Sequence, residues 1–127
     1  MKQEKFAELV EHAAELRKQL KGRLPERIYF RYKDWLLGTA GFSTLERGAY
    51  LALLLRQLDK GALPTDVAQL ATIAELPREQ FEPMWHSKLA AKFRGHADEL
   101  FNVAMLLEFV AAVEPLLGRR KAGMCAT

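Results

Sequence analysis

The chain has 127 residues, enough for one domain whose core needs neither disulfides nor metal to hold together. Half of its residues are hydrophobic and 28% are charged, an ordinary globular composition, and the single cysteine, Cys125, excludes an internal disulfide. The net charge of +3 conceals a segregation: residues 1–33 carry +4, residues 34–118 carry −4, and Arg119, Arg120 and Lys121 add +3.

The first residues place Glu4, Glu8, Glu11 and Glu15 among short apolar runs, which is not the pattern of a secretory signal. Residues 3–21 read instead as a helix. Phe6, Leu9, Ala13, Leu16 and Leu20 form an apolar stripe, acids lead and Arg17, Lys18 and Lys21 follow, and Gly22 is a natural stop. Residues 28–32 are β-branched and aromatic and are predicted to be extended. A helical turn at 34–38 follows. Ser43 and Glu46 have the spacing of a capping box and open a helix over 44–59 that is apolar on most sides, expected to be the central helix of its domain.

Gly61 and Pro64 end that helix, and Thr65 or Asp66 caps the next, over 66–74. A short turn leads to Pro77 and a helix over 78–92, which is helix-turn-helix spacing. Residues 92–101 read as a hairpin, the wing, around a Gly/Asp turn. The run 101–118 is long enough for a membrane span, but Glu108 and Glu114 would each cost roughly 2.5–3.5 kcal/mol inside a bilayer. It is therefore expected to be a buried closing helix over 103–117, with no membrane association.

The expected fold is mainly α: a small winged helix-turn-helix with an added N-terminal helix and a closing C-terminal helix. Its organisation is predicted as an amphipathic helix at 1–22, a winged-helix domain at 23–117 and a disordered basic tail at 118–127. Helix 103–114 carries more apolar surface than one face can bury against its own core, and either the apolar stripe of the first helix or a second copy of the chain would cover it. Of the two, a homodimer through Phe6, Leu9, Leu16, Leu20, Phe109 and Val113 is expected.

The residues that carry chemistry are sparse. His12, His86 and His96 share no ligand spacing, the only serines are Ser43 and Ser87, and Gly38 and Gly41 lack the Lys-Ser/Thr of a phosphate loop. Glu79 and Glu82 read as a solvated helix face, and Trp35, Trp85 and Phe93 as core aromatics. No catalytic residue, metal or cofactor is expected.

Several residues, taken in order, resemble a known family. They are Asp34-Trp35-Leu36, Leu45, Arg47-Gly48-Ala49-Tyr50-Leu51, Gly61, Leu63-Pro64, Leu70-Ala71, Trp85 and Lys92-Phe93. Over roughly residues 28–102 the chain resembles the phage and prophage family called domain of unknown function 1376, of the YdaU type. It differs from the family pattern at the wing tip and after Asn102, where Ala104 stands in place of an arginine. The resemblance implies a phage or prophage origin, the cytoplasm of a bacterial host, and an accessory role near phage replication.

Two functional readings stand side by side. In the first, the chain is a non-enzymatic module that grips DNA phosphates with little base specificity, through Arg17, Lys18, Lys21, Arg23, Arg27, Arg31 and Lys33, aided by Arg94. In the second, it binds and modulates a host protein complex such as a nuclease, polymerase or defence system. The helix at 78–92 argues against groove reading, because Glu79 and Glu82 stand among its six exposed polar candidates.

Overall fold

A computed structural model describes residues 2–125. It is mainly α-helical: α1 (Gln3–Leu20), α2 (Tyr32–Gly38), α3 (Thr44–Lys60), α4 (Val67–Ile73), α5 (Arg78–Met84) and α6 (Val103–Cys125). A single antiparallel hairpin joins β1 (Arg94–His96) to β2 (Glu99–Phe101). The chain divides into two compact units, Met1–Phe30 with Ala104–Thr127, and Arg31–Val103.

The first unit is built on α1 and α6. Along α1 the buried residues are Phe6, Val10, Ala13, Leu16 and Leu20, so the apolar face is broader than the predicted stripe and leaves Leu9 half-buried. Along α6 they include Leu106, Phe109, Val113 and Leu117, at helical spacings of three and four. The Arg17 guanidinium lies 4.6 Å from the centre of the Phe109 ring, and His12 Nε2 lies 2.5 Å from Glu114 Oε1. These two contacts place the apolar faces of α1 and α6 against each other.

Helix α1 stops one residue earlier than predicted. Lys21 itself takes a left-handed φ of 52° as the C-cap, and Gly22 follows at 83°. Helix α6 runs on past Gly118 to Cys125, so residues 118–125 of the expected disordered tail are helical. Leu117 is still packed, and the arginines and lysine after Gly118 are good helix formers. The last two positions of that expected tail, Ala126 and Thr127, lie outside the described residues.

In the second unit, α3 is fixed at its start by the capping box that the sequence announces. The Glu46 amide donates to Ser43 Oγ at 3.1 Å, and the Ser43 amide donates to Glu46 Oε1 at 2.6 Å. Ala49, Tyr50, Leu53, Leu54 and Gln57 form its buried face. Five rings then run through the core in sequence. Trp35 stacks on Tyr50 at 5.4 Å, Tyr50 meets Phe93 edge-on at 5.9 Å, and Trp85 joins Phe93 to Phe81 at 5.6 and 6.0 Å.

The stretch predicted as one helix over 78–92 changes pitch twice. It is α-helical to Met84, a π-helix over Trp85–Leu89, and a 3-10 turn over Ala90–Lys92. Two features of the sequence account for this. Pro83 has no N–H to donate to the preceding turn. The buried Phe81, Trp85, Leu89 and Phe93 repeat every four residues, longer than the α-helical period of about 3.6. Underwinding over Trp85–Leu89 keeps the first three on one side, and Phe93 follows the tighter 3-10 turn in extended backbone.

The turn between α4 and α5 is a Schellman closure. Leu76 N–H donates to Ala71 O at 3.0 Å and Glu75 N–H to Thr72 O at 3.1 Å, with Glu75 left-handed at φ 59°.

Residues 28–32 form no strand: Tyr32 already belongs to α2. The hairpin instead pairs with Leu63, whose N–H and C=O exchange hydrogen bonds with Leu100 at 3.0 and 2.8 Å. The hairpin turn is Ala97-Asp98, both at positive φ, while Gly95 lies within β1 opposite Leu100. The predicted Gly/Asp turn is thus displaced toward the following strand.

Gln57 ties α3 to the segment that follows β2. Its side-chain amide donates to Asn102 O at 3.0 Å and accepts from the Asn102 amide at 2.6 Å, pairing with the backbone as a strand would. The Asn102 side chain in turn donates to Tyr50 Oη at 3.0 Å and Lys92 O at 2.9 Å. Burial raises the Tyr50 phenol above its ordinary value, and the hydrogen bond from Asn102 partly offsets this.

Candidate interaction surface

On the helix that would enter a DNA groove, the basic residues Arg78 and Lys88 each meet a carboxylate. Arg78 Nε donates to Glu82 Oε2 at 3.2 Å, and His86 Nε2 lies 3.7 Å from the other oxygen of Glu82. Lys88 turns toward the loop before α3. It donates to Gly41 O at 2.6 Å and to Glu46 Oε1 at 3.3 Å, and sits 5.6 Å from the centre of the Phe42 ring. The Ser43 amide holds the Glu46 carboxyl below the usual carboxylate range, and the Lys88 ammonium adds to that. Lys88 therefore secures the entry to α3, and Arg78, Glu79, Gln80, Glu82 and His86 remain as the polar surface of this stretch.

The predicted phosphate grip falls on both units. Arg17, Lys18, Lys21, Arg23 and Arg27 belong to the first; Arg31, Lys33 and Arg94 belong to the second. Lys18, Lys21, Arg23 and Arg27 stand exposed in succession along the end of α1 and the segment after it, whereas Arg17 is partly covered over Phe109. Arg31 caps α2, Lys33 is exposed in its first turn, and Arg94 is half-buried on β1.

The residues expected at a homodimer interface have a different place. Phe6, Leu16, Leu20, Phe109 and Val113 are all buried within the single chain, and Leu9 is half-buried. Of the two covers open to the closing helix, the first helix of the same chain or a second copy, the structure shows the first: α1 and α6 bury their apolar faces together.

Apolar side chains remain exposed at Tyr29, Phe30 and Leu107 in the first unit and on α2 and α3 in the second, and no site residue was expected at any of them. Helix α2 is anchored by the stacked ring of Trp35 and the buried Thr39, and turns Tyr32, Leu36 and Leu37 outward, with Leu37 81% exposed. Helix α3, expected to be covered on most sides, leaves Leu45, Leu51 and Leu55 exposed. The signal in the sequence was the same apolarity all round α3; which sector is covered depends on the tertiary packing.

Among the described residues, no group of three His, Cys, Asp or Glu side chains could hold a metal ion, and no helix is long and apolar enough to cross a membrane. No buried side-chain nitrogen or oxygen among them lacks a hydrogen-bond partner. In comparisons with known proteins, no family model, curated protein or solved structure matches the chain.

Proposed function

We propose that this chain is a phage- or prophage-encoded winged helix-turn-helix module that works by binding a bacterial host protein and carries out no catalysis of its own. The fold reading rests on the order of elements in the second unit. A first helix, a short strand-like segment at Leu63, two helices across a tight turn, and a hairpin paired back to Leu63 follow one another as they do in winged helices. The protein-contact reading rests on one observation above others: large apolar side chains stand uncovered on α2 and α3 while, in residues 78–92, Arg78 is paired with Glu82 and Lys88 is turned toward Gly41 and Glu46. Uncovered apolar surface is what protein interfaces bury, and groove readers need cations directed at bases and phosphates.

The deciding experiment is capture from host lysate by the immobilised chain, with and without nuclease. A protein partner retained after nuclease treatment supports this reading, and a partner lost with the nucleic acid counts against it.

A second reading keeps a specific support. The exposed cations Lys18, Lys21, Arg23 and Arg27, with Glu26 as the one acid among them, give a basic segment suited to the DNA backbone. Under this reading the chain associates with DNA without regard to sequence, as a replication accessory.

A further inference from the structure

We propose that the segment leaving α1 is a site for single-stranded DNA, with a base stacked on Tyr29 and phosphates held by Lys18, Lys21, Arg23 and Arg27. This rests on the second reading, association with DNA, and specifies the form of DNA and the residue that selects it. Residues 21–30, which follow α1 in the first unit, form neither helix nor strand. Among them Leu24, Pro25 and Ile28 are half-buried, while Arg23, Glu26, Arg27, Tyr29 and Phe30 are exposed. Tyr29, at 86% exposure, leaves the surface of its ring to solvent. Arg27 stands two residues before it, at most about 7 Å away along the backbone. Ring and guanidinium therefore belong to one stretch of surface by chain connectivity alone.

Charge and ring together select the ligand. Residues 18–30 carry the four exposed cations against one exposed acid, Glu26. Earlier on α1, Glu15 accepts from Gln19 at 3.4 Å, and the exposed Glu4, Glu8 and Glu11 lie at least about 10 Å back along the helix from Lys18. On α6, Glu108 is buried and Glu114 lies against His12; the next acid along the chain is the exposed Asp34. Such a stretch attracts a polyanion, and the ring narrows the choice to one with open aromatic faces. In a duplex the bases present only their edges to a side chain, whereas in a single strand a base can lie flat on Tyr29, whatever its identity. The phosphate beside that base then falls within reach of Arg27. An anionic membrane is answered less well, because residues 21–30 form no amphipathic helix to lie in its interface.

The test uses the full chain and three labelled probes of about twelve nucleotides: oligothymidine, an abasic phosphodiester strand of the same length, and a duplex. Fluorescence anisotropy is expected to show oligothymidine bound at least about tenfold more tightly than either of the others, a gap of roughly 1.4 kcal/mol. Tyr29→Leu should bring oligothymidine down to the level of the abasic strand. Tyr29→Phe should keep the affinity of the unmodified chain, because it keeps a ring face. Both variants should melt as the unmodified chain does, since Tyr29 is exposed. Arg23→Glu with Arg27→Glu should abolish binding of all three probes.

Equal binding of oligothymidine and the abasic strand, or equal binding of oligothymidine by Tyr29→Leu and the unmodified chain, overturns the proposal. If the duplex still binds and Arg23→Glu with Arg27→Glu releases it, the DNA reading stands without this site. If none of the three probes binds, that reading falls with it. Binding to vesicles of phosphatidylcholine and phosphatidylserine that Tyr29→Leu removes, with no binding of oligothymidine, overturns the proposal in favour of a membrane surface.

Discussion

Glu75 and Ala97 hold left-handed backbone, at φ 59° and 50°, although neither is glycine. A side chain in that region costs of order 1–2 kcal/mol, of which the lower unfolded-state entropy returns part. Glu75→Gly should therefore raise stability by about 0.5 kcal/mol, because the Schellman bonds to Ala71 and Thr72 need only the backbone. Ala97→Asn with Asp98→Gly should do the same for the hairpin, since a two-residue turn with both φ positive prefers that pair. Thermal melting reads both, and a lower midpoint for either variant would show that its side chain makes a contact worth more than the strain. Gln57 behaves in the opposite sense. Gln57→Leu removes both hydrogen bonds from the buried Asn102 backbone, and each orphaned group costs about 1–3 kcal/mol. A loss of about 2–3 kcal/mol in denaturant unfolding is expected, and a loss below about 1 kcal/mol would mean water replaces the amide.

At the scale of elements, legibility followed the kind of signal each residue carries. Ser43 and Glu46 announce the start of α3 because a capping box is made within four consecutive residues. The four-residue repeat Phe81, Trp85, Leu89, Phe93 was equally visible, but its meaning was not. Only once Phe81, Trp85 and Leu89 are known to be buried does the drift of a four-residue repeat against the α-helical period favour the π-helix over Trp85–Leu89. Leu63 gives no strand signal, because one residue pairing with a distant hairpin leaves no pattern. Leu36, Leu51 and Leu55 could not be recognised as surface, since an apolar helix does not state which sector its neighbours cover.

The capping box also sets the acid response of α3. The Glu46 carboxyl titrates below its ordinary value in the fold, first through the Ser43 amide and further through Lys88. The contribution to stability is therefore present above the unfolded value of roughly 4.3 and is lost as pH falls through the lower folded value. Glu46→Gln should flatten the acid limb of a stability-against-pH curve below about pH 4.5 relative to the unmodified chain. An identical limb in both would show that this carboxylate is not a source of acid sensitivity.

For the whole molecule, the end segments of the sequence carry the positive charge and the body carries the negative. If the basic segment meets DNA, phosphate contacts release counterions and affinity falls steeply with salt. Anisotropy on a labelled duplex at two salt concentrations should show weak, sequence-indifferent binding that Arg23→Glu with Arg27→Glu abolishes. Gln80→Ala with His86→Ala should leave it unchanged, as these residues lie in the stretch where Arg78 and Lys88 each meet a carboxylate. Sequence-specific binding lost only in the second variant would assign groove reading to residues 78–92.

The packing of the end helices bears on the expected homodimer. The sequence leaves the first helix or a second copy of the chain as cover for the closing helix and favours the second copy, whereas Phe6, Leu16, Leu20, Phe109 and Val113 are buried within one chain. An interface made of residues that already form an internal core would have to break that core first. Each large apolar side chain so uncovered costs roughly 1.5–3 kcal/mol. Light scattering at tens of micromolar protein should therefore give a monomer of 14.4 kDa. Leu16→Lys places a charge in the same core, at a cost of several kcal/mol, and should unfold the α1–α6 unit, seen as lost helical circular dichroism and a lower melting midpoint. A dimer in the unmodified chain that Leu16→Lys splits into folded monomers would show that the end helices pair between chains after all.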